Sequence, residues 1–389
     1  MEAGGLFSRK VMMMNKSLTM TMLPANEGDC LLITYGADDD KKHILIDGGL
    51  ASTYQKAIKP YLAEHGIQEL ELLVVTHVDR DHIEGVLALM KDDSQQLKVN
   101  NIWFNGWYHL IGTTPAPPAP VETLTELDPD EPAPVFGAIM GEELSPLIQQ
   151  KGWAWNQQFG GAAVELSAIQ DNIIRFGDVQ LTLLSPSRKK LEEMVPVWEK
   201  ECGQAGMIPG FPTIPTPMAR VNLSEAEKMQ INVDALAAEK TKGDHSKANG
   251  CSIAFMLEYQ GKKFLLSGDA HVDLLEAELK RLGASKAKPL RVDLFKIPHH
   301  GSQNNLSKTL LELLDCKHYL ISTNGNHFQH PDDAAIAKLV KFGTAESTLH
   351  FNYKTRFNRH WEKAEWQETY HYRIEFPKEG EDGYKSLSF

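Results

Sequence analysis

The stretch Thr76-His77-Val78-Asp79-Arg80-Asp81-His82 carries four side chains able to hold a divalent cation within six positions, 77 to 82. Imidazole nitrogens and carboxylate oxygens are donors that hard and borderline divalent ions accept, and no cysteine accompanies them. If the turn starts extended, His77 and Asp79 point the same way. Asp81 and His82 are neighbours and can face two different ions. The chemistry implied is the binding of divalent cations. The competing reading is a polar turn with an aspartate helix cap, and four ligand-type residues in so short a span weigh against it.

Such a loop needs a strand before it and a helix after it. Leu72 to Val75 is an apolar, β-branched run of strand character, and Ile83 to Met90 reads as a helix. Upstream, Leu18–Leu23 and Leu31–Tyr35 flank the turn residues Asn26-Glu27-Gly28-Asp29, which predicts an opening hairpin. His43 to Ile46 is a further strand, ending in Asp47-Gly48-Gly49, and Ala57 to His65 has helical spacing before Gly66. Val99 to Phe104 returns as a strand. Ile173 to Ser185 reads as two strands joined by Gly177-Asp178; Lys189 to Val195 is helical until Pro196 interrupts it; and Ser224 to Lys242 is a polar helical stretch. Ile253–Tyr259 and Lys263–Leu266 form a second hairpin that ends in Ser267-Gly268-Asp269. Val292–Ile297 leads into Pro298-His299-His300-Gly301-Ser302, and Tyr319–Thr323 precedes Asn326 and His330-Pro331. Asp332 to Phe342 reads as a helix, and the tail from Thr348 alternates as strands through Phe376.

The loop at 77–82 resembles the signature of the metallo-β-lactamase-fold hydrolases, His-x-His-x-Asp-His, with Asp79 in place of the second histidine. That variant is similar to the hydrolase domain of ComEC-type DNA-uptake proteins and their soluble relatives, and Ser267-Gly268-Asp269, His299-His300-Gly301-Ser302 and His330-Pro331 agree with it. The resemblance implies a metal set of His77, Asp79, Asp81, His82, Asp269, His299 and His300, with Asp269 bridging two ions and His299 preferred over His300 as the ligand. It further implies Asp81 and His330 as catalytic groups, His330 as general acid, Ser302 and Asn326 near the substrate, and Asp47 as a buttress behind the ligands. Many relatives place one more histidine between the loop and the bridging aspartate. Here that region offers only His109, His245 and the Asn249-x-x-Ser252 pair.

The fold implied is α/β (α+β), an αββα four-layer metallo-β-lactamase-like sandwich with two insertions. It spans residues 18–376 as a single hydrolase domain, with insertions at about 106–165 and 187–245 and a disordered extension over 1–17. The cofactors expected are two divalent ions, Zn²⁺ or Mn²⁺, lowering the pKa of a shared water that attacks phosphorus or a carbonyl. Asp79 hardens the ligand set and makes Mn²⁺ a serious competitor.

Composition bounds the rest. With 389 residues and 42% hydrophobic content the chain can bury a sizeable core. A net charge of −12 opposes non-specific adhesion to nucleic acid, which draws on Lys and Arg. No apolar run reaches the length needed to span a membrane, no signal-peptide core follows Arg9-Lys10, and Cys30, Cys202, Cys251 and Cys316 form no Cys-x-x-Cys pair. A cytoplasmic location is expected. The Pro-rich run at 115–120 and the acidic run at 128–132 read as a rim over the site. Trp103, Trp107, Tyr108, Trp153 and Trp155 either stack on a base or sugar or anchor that rim. The leading function is a phosphodiesterase or nuclease. The alternatives are hydrolysis of a small ester, lactone or cyclic nucleotide, and a non-catalytic regulatory protein stabilised by metal.

Overall fold

A computed structural model describes residues 16–114, 137–210 and 231–389. Alternation along the strands separates side chains onto two faces. Leu18, Met20 and Met22 of Lys16–Met22 and Leu31, Ile33 and Tyr35 of Leu31–Ala37 enter one core, while Leu32 points the other way. Phe255 and Leu257 of Ala254–Tyr259 and Phe264 and Leu266 of Lys262–Leu266 enter that same core from a second sheet. Each sheet buries its outer face against helices in a separate core. Helix, sheet, sheet, helix is therefore the layering.

The first sheet runs, in spatial order, Lys385–Ser388, Lys16–Met22, Leu31–Ala37, Asp40–Ile46, Leu72–Val74, Asn101–Trp103 and Ala154–Trp155. The second runs Tyr372–Glu375, Ser347–Phe351, Leu314–Ile321, Leu290–Lys296, Lys262–Leu266, Ala254–Tyr259, Val179–Ser185 and Ile173–Phe176. Both are mixed, with antiparallel hairpins on one side and parallel strands on the other. Loops that follow Ile46, Val74, Leu266, Lys296 and Ile321 all leave the carboxyl ends of parallel-paired strands. Those ends are where open α/β sheets place their ligands.

Several expectations need correcting. Pro196 does not end its helix but lies inside Arg188–Gln204. The interior proline costs about 3 kcal/mol, which burial of Leu191, Met194, Trp198 and Cys202 outweighs at roughly 1.5–3 kcal/mol for each large apolar side chain. The tail is not strands alone. Ala364–Tyr370 is a helix that sets Trp366 5.1 Å from the ring of Trp361, and Lys385–Ser388, beyond 376, pairs with the first strand. Lys16 and Ser17, placed by the sequence in an extension, are already in that strand opposite Ala37 and Gly36.

In the stretch read as an insertion at 106–165, the helix Gly137–Lys151 buries Ala138, Ile139, Met140, Leu144 and Ile148 in the first sheet's outer core. The Pro-rich and acidic runs lie outside the described residues, as do 1–15 and 211–230. Of the polar helical stretch, Val233–Ala238 is the helical part that is described. Trp103 is buried between the sheets with Nε1 donating to Gln158 Oε1 at 2.9 Å, and Trp155 Nε1 donates to Phe104 O at 2.8 Å, so these rings anchor structure. Among the described residues no helix is long and apolar enough to cross a membrane.

Candidate metal centre

The signature loop is shaped from both sides by backbone contact. Arg80–Lys91 is a helix whose Ile83, Val86, Leu87 and Met90 follow the helical repeat into the core, which leaves Asp81 and His82 in its first turn facing inward. Gly48 N donates to His82 O at 2.8 Å and Gly85 N to Gly49 O at 2.9 Å. A Cβ on Gly85 would fall 1.9 Å from Gly48 O, so the Asp-Gly-Gly turn and the helix meet too closely for any side chain. The second half joins here as well: Ile253 N donates to Thr76 O, Asn324 N to Asn26 O and Ser322 Oγ to Gly28 O.

Four buried side chains converge. His82 Nε2 lies 3.5 Å from Asp269 Oδ2 and 3.9 Å from Asp81 Oδ2. His300 Nε2 lies 3.4 Å from Asp81 Oδ2 and 3.6 Å from Asp269 Oδ2, and the two Nε2 atoms are 3.3 Å apart. His77 joins His82 and Asp269 in a second three-residue grouping with donor atoms within 4.8 Å, and its Nε2 is 3.5 Å from Asp79 Oδ2. His77 Nε2 and Asp269 Oδ1 are buried and accept or donate no hydrogen bond. Buried polar atoms without partners are rare and costly. Donors converging on two adjacent groupings, crowded carboxylates and unpaired inward atoms fit a pair of divalent cations, with nitrogen and oxygen ligands throughout.

The imidazoles are oriented from behind. Asp47, fully buried, accepts from Thr76 N and Thr76 Oγ1, both at 2.8 Å, and its Oδ2 meets His82 Nδ1 at 2.8 Å. Asp47 thus stands behind His82 and turns its Nε2 toward Asp269. Ser252 Oγ sits 3.1 Å from His77 Nδ1 and accepts from Asp269 N. His300 Nδ1 bonds Ser322 O at 2.9 Å. Asp47, His299 and His300 all hold left-handed backbone, with φ of 58°, 47° and 52°. Each costs on the order of 1 kcal/mol or more, and such strain gathers where side chains must be aimed.

Replacing Asp47 with alanine is expected to weaken cation binding about 10–100-fold, read by titrating metal-stripped protein with Mn²⁺ or Zn²⁺; unchanged affinity would remove Asp47 from the site.

Charge follows geometry. Burial opposes charge on His300, but Asp269 and then Asp29 outweigh it and raise its pKa to about 10. Burial likewise opposes charge on His82, and Asp269, Asp47 and Asp81 hold it well above its ordinary value. Asp81 and Asp269 are lowered against burial, Asp81 by His82 and then His300, Asp269 by His300 and then His82. A cation must displace those imidazole protons. Affinity is therefore expected to climb as pH rises toward about 10, by about tenfold per unit for each proton displaced. Calorimetric titrations at three pH values check this, and a flat profile would contradict it.

Not every expected residue belongs with these four. Of the adjacent histidines, His300 is the one whose Nε2 lies within the converging set, whereas the sequence reading expected His299 as the ligand. His299 Nδ1 is engaged by Asn305 Oδ1 at 3.0 Å, and its Nε2 reaches Asp269 Oδ2 only at 3.9 Å. The reason is the turn, which rotates the second ring inward and leaves the first at the rim. Asp79 is half exposed and meets only His77 within this set. Ser302 is buried with its Oγ accepting from Asn304 N, and Asn326 is exposed on the surface. His330 stands near, its ring 5.4 Å from that of His299 and its Nδ1 3.3 Å from Asp332 Oδ1. His109 is buried elsewhere with both nitrogens used by Gly106 N and Gly161 O, and His245 is exposed.

Sequence reasoning missed Asp29, Lys296, Asp244 and Asn305. Asp29 and Lys296 form a buried ion pair, and Asp29 Oδ1 lies 3.5 Å from His300 Nδ1. The signal available was a lysine at the end of an otherwise apolar strand, Leu294-Phe295-Lys296-Ile297.

Residues 23–182 match the model of the metallo-beta-lactamase superfamily, the part that carries the signature loop. Over 357 residues the chain is 19% identical to ComE operon protein 3 of Bacillus subtilis (strain 168), a match covering 86% of this chain and 33% of that protein. The chain thus spans about a third of the length of the curated relative it matches. Among solved structures it is similar to the metallo-beta-lactamase fold protein YhfI from Bacillus subtilis, at 8% identity and a TM-score of 0.35, covering 96% of this chain and 100% of that one. It is also similar to CmlA, a diiron beta-hydroxylase from Streptomyces venezuelae, at 9% identity and a TM-score of 0.41, covering 96% of this chain and 54% of that one. The resemblance read from the sequence and the sandwich fold it implied are borne out.

Proposed function

We propose, from the premise that this is a chain of the metallo-beta-lactamase superfamily, that it is a metal-dependent hydrolase acting on phosphodiesters through a two-cation centre. The observation that carries the reading is Asp269. Its Oδ2 lies within 3.6 Å of both His82 and His300, and its Oδ1 is buried without a partner, so one carboxylate of the His77 grouping also borders the His300 ring of the other. Residues 77, 79, 81, 82, 269 and 300 would together hold the two cations, with Zn²⁺ or Mn²⁺ as the ions. When bound, the pair supplies an acidified water and stabilises charge developing on the scissile group. The chain's own side chains do the rest. Asp47 and Ser322 fix the two inward imidazoles, Asp81 adds negative charge beside them, and His330, beside Asp332, would protonate a leaving oxygen.

The acidic balance of the chain favours a short diester or cyclic nucleotide over long nucleic acid as substrate. Assays of metal-loaded protein against single-stranded DNA, duplex DNA, bis-p-nitrophenyl phosphate and a lactone test this. Turnover of the phosphodiesters that disappears in Asp81→Ala and His300→Ala supports the reading. Full turnover in those variants ends it, and cleavage of the lactone alone replaces a phosphodiesterase with an esterase.

A further inference from the structure

Behind His299 lies a network that the cation groupings do not use. Asp244 Oδ1 accepts from Ser246 N at 2.9 Å, while its Oδ2 accepts from Asn249 Nδ2 at 2.7 Å and Asn305 Nδ2 at 3.0 Å and lies 3.2 Å from His299 Nδ1. Asn305 is fully buried. Its Oδ1 meets His299 Nδ1 at 3.0 Å, and its Nδ2 also reaches Asp269 O at 3.2 Å, so it ties the aspartate to the strand end that carries the bridging carboxylate.

The segment bearing Asp244 is itself pinned. Thr241 Oγ1 donates to Leu306 O at 2.8 Å, and the buried Lys338 Nζ donates to Thr241 Oγ1 at 2.8 Å and to the carbonyls of Gln303 and Leu306 at 3.4 and 3.3 Å. Lys338 thereby clamps the loop that carries Asn305 against the segment that carries Asp244.

Asn305 Oδ1 at 3.0 Å and the Asp244 carboxylate at 3.2 Å face Nδ1 more closely than the Asn249 Nδ2 donor at 3.3 Å, and these two acceptors assign the proton of the His299 ring to that nitrogen. Nε2 is then turned toward Asp269 Oδ2, 3.9 Å away, at the outer edge of the converging set. On its open side the ring stands 5.4 Å from that of His330 and 6.5 Å from that of Phe328, a side chain left 47% exposed. His299 thus lies between the cation groupings and the solvent, where a substrate has to enter.

We propose that Asp244, together with Asn305, is a positioning residue that fixes the tautomer and ring plane of His299 so that Nε2 meets the substrate beside the cation pair. The proposal rests on the hydrolase reading above for what His299 meets, though not for how the ring is held. Asp244 lies far from the signature loop in sequence, and nothing in the Asn249-x-x-Ser252 pair alone points to it.

The test combines kinetics with a spectrum. Asp244→Ala, Asn305→Ala, His299→Ala and the double variant Asp244→Ala/His299→Ala are assayed on bis-p-nitrophenyl phosphate with Mn²⁺, and bound metal per chain is measured in each. Asp244→Ala is expected to lower kcat about 10–100-fold, with metal content held within twofold, and the double variant to be no slower than His299→Ala alone. Long-range ¹H–¹⁵N spectra of histidine-labelled protein should show His299 protonated at Nδ1 in the wild type and not in Asp244→Ala. Additive kinetic losses, or a tautomer unchanged by Asp244→Ala, overturn the proposal. If the wild type cleaves nothing, the hydrolase reading fails and the spectrum alone decides the positioning. If Asp244→Ala does not fold, Asn305→Ala and Asp244→Asn carry the same comparison.

Discussion

Asp269→Ala is expected to lower phosphodiester turnover by at least about a thousandfold, equivalent to ~4 kcal/mol of transition-state stabilisation, and to leave the protein with fewer bound cations per chain. The size follows from position. Asp269 is the acceptor that both inward imidazoles approach, and it holds the His82 and His300 protons that a cation must displace. Its loss removes the carboxylate that lies beside ring nitrogens of both His82 and His300, whereas Asp79, half exposed, faces only His77. Asp79→Ala should therefore cost far less. Metal analysis and kcat/KM on the same preparations separate the two. If Asp269→Ala keeps its cations and works within tenfold of the wild type, the bridge is misassigned.

What the sequence made legible follows from where each contact is encoded. His77, Asp81 and His82 sit on one turn whose flanking strand and helix are local patterns, so the loop and its inward face could be read directly. Asp269 and the His299-His300 pair stand as polar residues at the ends of apolar strands, a pattern common to ordinary turns, and only the family resemblance singled them out. Which of the two histidines turns inward depends on consecutive left-handed residues and on the carbonyl of Ser322, a partner far along the chain, and no spacing rule carries that. The Asp244–Asn305 network was invisible for the same reason: both residues lie in loops, and only the fold brings them together. Pro196 misled because local propensity was weighed without the tertiary burial of Trp198 that overrides it.

Lys296→Met is expected to cost about 3–5 kcal/mol of stability, the largest effect foreseen for a residue outside the cation groupings. Lys296 is fully buried at the end of Leu290–Lys296, and its partner Asp29 is 1% exposed in the turn after the first strand. A buried pair contributes little over a well-packed apolar pair, but removing one member strands the other's charge without water. Burial alone would raise the Asp29 pKa. Lys296 first, and His300 after it, instead hold it down at about 2. Because the folded value lies below the ordinary 3.8, the associated stability is present above pH 3.8 and is lost as pH falls toward about 2. Methionine at 296 removes that support and lets burial raise the Asp29 carboxyl, so the deficit of the variant should be largest near neutral pH and shrink as acid protonates the stranded carboxylate. The site should register the change too, since without Lys296 the Asp29 charge rests on His300 Nδ1 and binds its proton more tightly against an incoming cation. Urea unfolding at pH 7 and pH 4, with Lys296→Met/Asp29→Leu as the paired control, measures the first effect, and Mn²⁺ titration the second. Recovery of most of the stability in the double variant identifies the stranded carboxylate as the cause. A single variant as stable as the wild type would mean that the lysine contributes packing and its charge nothing.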